Sequence, residues 1–268
     1  MGKTSIALTD LSDQSVAALA GPAIELADTT IHLTLQGKGG VGKSLVAVIL
    51  AQYLSKRGLQ IQCIDTDPLN RTFAQYNAFA AERIQVRDEH SRIDQRSFDG
   101  LLERFLTEHG ATFVVDNGAS TFLPLWHYLL ENSALDYLRQ QGRRVYVHTV
   151  ITGGQALIDT LNGINELAQT TQERNIIVWV NEYFGRVEAD GKKFSEMAAY
   201  RDNADKVCGA VIFTKRNQDT FGRDIEDMVS AKLTFHEAIT TCSGTIMAKQ
   251  RLKLVQRDLF EQLDKLVF

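Results

Sequence analysis

Residues 31–36 (IHLTLQ) alternate apolar and polar side chains, the period of a strand with one face on a core. A glycine-rich stretch, GKGGVGK, separates them from residues 44–58, where apolar residues recur at helical spacing. Lys56, Arg57 and Gly58 give that helix a normal stop. Residues 59–65 (LQIQCID) read as a second strand. Strand, helix and strand within about 35 residues form a βαβ unit, which predicts a parallel sheet.

Farther along, 71–83 and 97–109 carry helical patterns. Residues 112–116 (TFVVD) are apolar on both faces, as a buried parallel strand requires. A helix through 121–141 leads to a strand at 143–150, and an amphipathic helix at 156–170 to a strand at 175–181. A polar loop (182–194) precedes the last strand, 206–213, and helices are expected from there to the end. No internal repeat is present. The alternation predicts an α/β doubly wound fold: a mostly parallel sheet with helices on both faces. It occupies 31–268, and residues 1–30 read as a weakly patterned N-terminal extension.

Composition narrows this picture. The chain has 268 residues, 44% apolar and 23% charged, which suits one large α/β domain and excludes disorder throughout. The net charge is −4. Residues 1–30 hold one lysine and four acids, so the remainder is close to neutral and no broad basic field attracts nucleic acid. Cys63, Cys208 and Cys242 are too far apart for a zinc pair and odd in number, which suits a reducing cytoplasm. No apolar run is long enough for a membrane span. Asp10 and Asp13 interrupt any signal-peptide apolar region.

Chemistry enters at the glycine-rich turn. Gly37, Lys38, Gly39, Gly40, Val41, Gly42, Lys43 and Ser44 satisfy G-x-x-x-x-G-K-[ST] between a strand and a helix. Glycines allow unusual backbone angles, so successive N–H groups can point at phosphate oxygens. Leu45 continues the set into the first helical turn, whose dipole adds to it. Lys43 is expected to reach the β and γ phosphates of ATP, or the β phosphate of ADP, and the Ser44 hydroxyl to ligate Mg²⁺. At the end of the next strand stand Asp65 and Asp67, with Pro68 and Asn70 following. Asp67 is expected to orient the attacking water, and Asp65 to help hold Mg²⁺ or the phosphate loop. Asp116 ends an apolar strand and is expected to hold Mg²⁺ through water. Taken alone, the Asp67-Pro68 pair also fits a simple turn.

Lys38 is not required by a generic phosphate loop. KGGVGKS resembles the deviant Walker A loop of the ParA/MinD ATPases. That resemblance implies an ATP-sandwich homodimer in which Lys38 reaches the partner's nucleotide. It implies water positioning by Asp67, from the D-x-D-P pattern, and adenine reading by Asn181, at the end of IIVWV. Asn117-Gly118-Ala119-Ser120 departs from the usual switch II of that family, although Gly118 retains a backbone N–H for the γ-phosphate. Taken in order, LQGKGGVGKS, CIDTDP, VVDNGAS, HTVITGGQALIDT, FGRDIEDM, LTFHEAI, TIM and QRLK resemble TraL-type conjugal transfer proteins over about residues 31–267.

The resemblance implies a slow, partner-stimulated ATPase switch in plasmid conjugal transfer or DNA partition, working with relaxosome or other DNA-transfer proteins. An ATP-binding module without hydrolysis, and a metabolic ligase or kinase on the same scaffold, are the alternatives. An iron–sulfur reductase is excluded because no cysteine follows Asp116 at switch II. Residues 245–268 carry Leu252, Val255, Leu259, Leu263 and Val267 at helical spacing among Lys249, Arg251, Lys253 and Arg257. They read as a last helix on the sheet with a basic outer face. Non-specific DNA and a membrane surface are the sharper readings, the membrane the weaker of the two. The six histidines have no ligand spacing and are expected to be structural or superficial.

Overall fold

The computed structural model describes residues 29–240, 244–266 and 268. The expected N-terminal extension up to residue 28, Cys242 and Val267 therefore lie outside the described residues.

The strands are β1 (Thr30–Thr34), β2 (Ile61–Asp65), β3 (Glu82–Arg83), β4 (Thr112–Asp116), β5 (Arg144–Thr152), β6 (Ile176–Asn181), β7 (Glu188–Ala189), β8 (Lys192–Lys193) and β9 (Val207–Phe213). The helices are α1 (Lys43–Lys56), α2 (Ser97–Thr107), α3 (Phe122–Glu131), α4 (Ala134–Gln140) and α5 (Leu157–Thr170). After them come α6 (Ala198–Arg201), α7 (Arg223–Ser230), α8 (Phe235–Thr240) and α9 (Ile246–Leu263). Seven strands form one parallel sheet in the order β3-β2-β4-β1-β5-β6-β9. The doubly wound α/β fold is therefore as the sequence pattern predicts.

Period-two side-chain direction divides the core in two. Ile31, Leu33, Phe113, Val115, Val147 and Ile151 face α2, α3, α4 and α5. Cys63, Val114, Val150, Ile177, Trp179 and Val211 face α1, α7, α8 and α9. Trp126 lies in the first core and Trp179 in the second, both with almost no exposure. Leu252, Val255, Leu259 and Leu263 of α9 are buried, so the apolar side of that helix is taken up by the sheet. Arg251, on its basic side, pairs with Asp224. No described helix is long and apolar enough to cross a membrane.

Three expected elements differ. Residues 71–83 form two short 3₁₀ turns and β3 rather than a helix. Phe73 and Tyr76 are buried, and Ala80 takes a left-handed φ of 46° that stops helical continuation. The Asp65 carboxylate also accepts the N–H of Ala74 at 2.9 Å, fixing the first turn to the strand end. The helix expected through 121–141 breaks into α3 and α4 at Ser133, whose φ is 49°. The loop 182–194 contains the small antiparallel hairpin β7–β8.

His32 and His148, expected to be structural or superficial, form a pair in the second core. Trp179 Nε1 donates to His148 Nδ1 at 3.0 Å, so neutral His148 carries its proton on Nε2 and donates to His32 Nδ1, also at 3.0 Å. Neutral His32 is then protonated on Nε2, which has no hydrogen-bond partner among the described residues. Burial, with Arg144 adding to it, pushes the His32 pKa down to about 3. Burial and then His32 hold His148 well below the usual range. Below pH ~6.5 the unfolded chain takes up protons that the folded chain refuses, so this pair loses stability as pH falls. His32→Phe keeps a ring against Tyr146 but leaves the His148 N–H without its acceptor. At pH ~8 it should cost about 1–3 kcal/mol. Between pH ~6 and ~4 its stability should fall less steeply than wild type, by up to ~1.4 kcal/mol per pH unit. Urea unfolding across that range measures this; parallel slopes would contradict it.

Candidate functional site

The carboxyl ends of β1, β2 and β4 lie side by side. In register, Thr34 and Asp65 both pair with Asp116. This edge is where open parallel sheets bind ligands. The turn from β1 to α1 has Gly40 and Gly42 at φ 75° and 106°, angles that side chains resist. At Gly42 a Cβ would also approach Asn181 Nδ2 to 3.0 Å. The first turn of α1 has no acidic residue and no side-chain cap, so its N–H groups and dipole are free to serve an anion.

Beside this turn is a cavity of about 530 Å³. Gly39, Gly40, Gly42, Lys43, Ser44 and Leu45 line one wall, and Asp67 and Asn181 lie on others. Val41 is buried behind the loop. Gly37 and Lys38 line a neighbouring groove with Leu123 and Asp159. Six of the expected phosphate-loop residues thus meet Asp67 in one cavity, while the Lys38 side chain points away from it. Lys38 Nζ instead pairs with Asp159 at 2.7 Å, with both side chains about half exposed.

Lys43 is 8% exposed, and its Nζ donates to the Lys38 carbonyl at 2.9 Å. Burial lowers its pKa, while Asp116 and then Asp67 oppose that by favouring the cation. Asp116 is almost fully buried: Oδ1 accepts from Thr34 at 3.1 Å and Oδ2 has no partner among the described residues. Burial lifts its pKa to about 7, against the lowering effects of hydrogen bonds from Ser44 and Thr34. Among the described residues no cluster of three or more His, Cys, Asp or Glu could hold a metal unaided. A hydroxyl beside a buried carboxylate with one unpartnered oxygen does fit Mg²⁺, which keeps waters and phosphate oxygens as its other ligands.

Asp65, expected to hold Mg²⁺ or the phosphate loop, commits its carboxylate elsewhere. Oδ1 accepts from Asp67 N and Oδ2 from Ala74 N, both at 2.9 Å. Its contacts shape the segment after β2. Within that segment Asp67 accepts from Leu69 N at 2.9 Å, Asn70 N at 3.3 Å and Asn70 Nδ2 at 3.0 Å. Asn181 donates from Nδ2 to Val41 O at 2.9 Å and accepts from Tyr183 N at 3.1 Å. It braces the phosphate loop while lining the same cavity.

The far wall comes from Tyr183, Phe184, Ile225, Glu226, Val229 and Ser230. No motif in the chain singles out these residues as a group. Of them only Ile225 and Glu226 fall in FGRDIEDM, and no spacing links that stretch to the phosphate loop; the fold brings α7 there.

A family model described as the CobQ/CobB/MinD/ParA nucleotide binding domain matches residues 33–228. Two proteins named TraL from Escherichia coli are 46% and 43% identical to this chain over 235 residues, covering 87% of it and 97% of each of them. Among solved structures, a candidate plasmid partition protein from Borrelia burgdorferi B31 bound to AMPPNP has the same fold. Its TM-score is 0.52 at 14% identity, over 88% of this chain and 99% of that one.

Proposed function

The chain belongs to the CobQ/CobB/MinD/ParA nucleotide-binding family, and from that premise we propose that it is a Mg²⁺-dependent ATPase switch that dimerises on ATP and serves plasmid conjugal transfer. The observation that carries the reading is the single cavity in which a phosphate loop, a buried lysine and Asp67 meet above Asp116. The TraL relatives support the transfer role, and the AMPPNP-bound neighbour supports an adenine nucleotide.

In this reading, the N–H groups from Gly39 to Leu45 take the phosphate oxygens. Lys43 leaves the Lys38 carbonyl for the β and γ phosphates. Ser44 and, through water, Asp116 hold Mg²⁺, which when bound neutralises charge on those phosphates. Asp67 orients the attacking water, and Gly118 offers its N–H to the γ-phosphate. Asn181 and the wall of Tyr183 and Ile225 receive the base. Lys38, paired with Asp159 outside its own cavity, turns in this reading to the nucleotide of a second subunit. Its exposed pair with Asp159 is worth ~1 kcal/mol at most, so release costs little. Leu123, Ile158 and Phe184, exposed around the same face, would be covered in such a dimer.

Phosphate release in Mg²⁺-ATP tests this reading. Slow turnover, on the order of one per minute or below, is expected because the bound state of a switch must persist. The hydrogen bonds already made to Asp67 favour one rival, a module that holds ATP without turning it over. Tight ATP binding with no phosphate release would select that rival.

A further inference from the structure

We propose that Asn117 is a positioning residue that locks the Asp67 segment to Gly118, so that the water-orienting carboxylate and the backbone N–H shift as one unit. This rests on the ATPase reading above. Asn117 is 1% exposed and follows Asp116 directly. Its Oδ1 accepts from Thr66 Oγ1 at 2.8 Å and from Thr121 Oγ1 at 2.9 Å, and its Nδ2 donates to Gly118 O at 3.1 Å. Turning the amide over would set its oxygen against the Gly118 carbonyl oxygen, so the orientation follows from the network.

Thr66 is the residue between Asp65 and Asp67. Its N–H donates to Asp116 O at 2.9 Å, and its hydroxyl lies 3.1 Å from the same oxygen. The Asp67 segment is thus bonded to the 116–117 backbone and to the Asn117 amide. On the other side, Thr121 Oγ1 also reaches Gly118 O at 3.0 Å. Gly118 and Asp67 touch directly: a Cβ on Gly118 would lie 2.8 Å from the Asp67 carboxyl and 3.1 Å from its Cα. Through the Asn117 amide, a displacement of Gly118 toward a terminal phosphate draws the Asp67 segment with it. An amide suits this post, because a carboxylate there would add charge beside buried Asp116 and Asp65. The departure of Asn117-Gly118 from the resembled family's pattern is thereby given a use.

Thr66→Val tests the tie. It removes the hydroxyl, keeps the side-chain shape and leaves the Thr66 N–H on Asp116 O, so the fold should persist with a melting temperature near wild type. The measurements are affinity for a fluorescent ATP analogue and single-turnover hydrolysis of ATP. Turnover should fall about 10- to 100-fold, as a misplaced water requires, with affinity within about threefold of wild type. Thr66→Ser, which restores a hydroxyl, should recover the rate. In an Asp67→Ala background Thr66→Val should cost nothing further, because it acts through Asp67. A wild-type rate in Thr66→Val would overturn the inference and leave the ATPase reading standing. So would an equal loss in the Asp67→Ala background, or a loss of affinity that matches the loss of rate. A wild-type protein that releases no phosphate would overturn the ATPase reading, and this inference with it.

Discussion

Asp67→Ala should bind ATP with nearly wild-type affinity and hydrolyse it about 100-fold or more slowly, the usual loss when a residue that manages the attacking water is removed. The argument starts from where the carboxylate is held. Asp67 is 9% exposed, lines the cavity with the phosphate loop and lies against Gly118. Three hydrogen bonds from Leu69 and Asn70 fix its direction without supplying a cation to neutralise it. None of the phosphate-loop N–H groups depends on it, so binding should survive. Removing the carboxylate also frees the Leu69 and Asn70 N–H groups, which lie near enough to solvent to find water. Phosphate release beside equilibrium nucleotide titration separates rate from affinity. Hydrolysis at the wild-type rate would remove Asp67 from its proposed role.

Lys43→Ala should weaken ATP binding by about 100-fold, because it deletes charge-assisted bonds worth roughly 1.5–3 kcal/mol each. The effect should exceed that of removing an exposed lysine. Lys43 is already desolvated, and its cationic form is favoured by Asp116 and Asp67. Without it, the two carboxylates lose the cation that offsets their repulsion of triphosphate. Melting with and without Mg²⁺-ATP gives an independent reading: the nucleotide-dependent rise in melting temperature should vanish. An undiminished rise would show that nucleotide binds elsewhere.

The strand-end carboxylates and phosphate loop were readable from the chain because each motif is local. A strand, a glycine turn and a helix start lie within a few residues, and Asp65, Asp67 and Asp116 close apolar runs. What escaped was non-local. The far wall of the cavity joins Tyr183 to Ile225 and Glu226 across the α7 packing. The bond from Asn181 to Val41 joins residues 140 apart in sequence. The segment after β2 shows the same limit: its helical pattern yields to the capture of Ala74 N by Asp65 and to the left-handed Ala80. Ser133 breaks the long helix for an equally conformational reason, one that its side chain does not announce.

The central claim, an ATP-driven dimer parted by hydrolysis, is tested most directly by solution mass from light scattering. Wild type and Asp67→Ala would be compared in Mg²⁺ with ATP and then with ADP. The expected result is a dimer with ATP only, transient in wild type and persistent in Asp67→Ala. A monomer of both proteins with every nucleotide would contradict it, and would leave Lys38 with no partner site to complete.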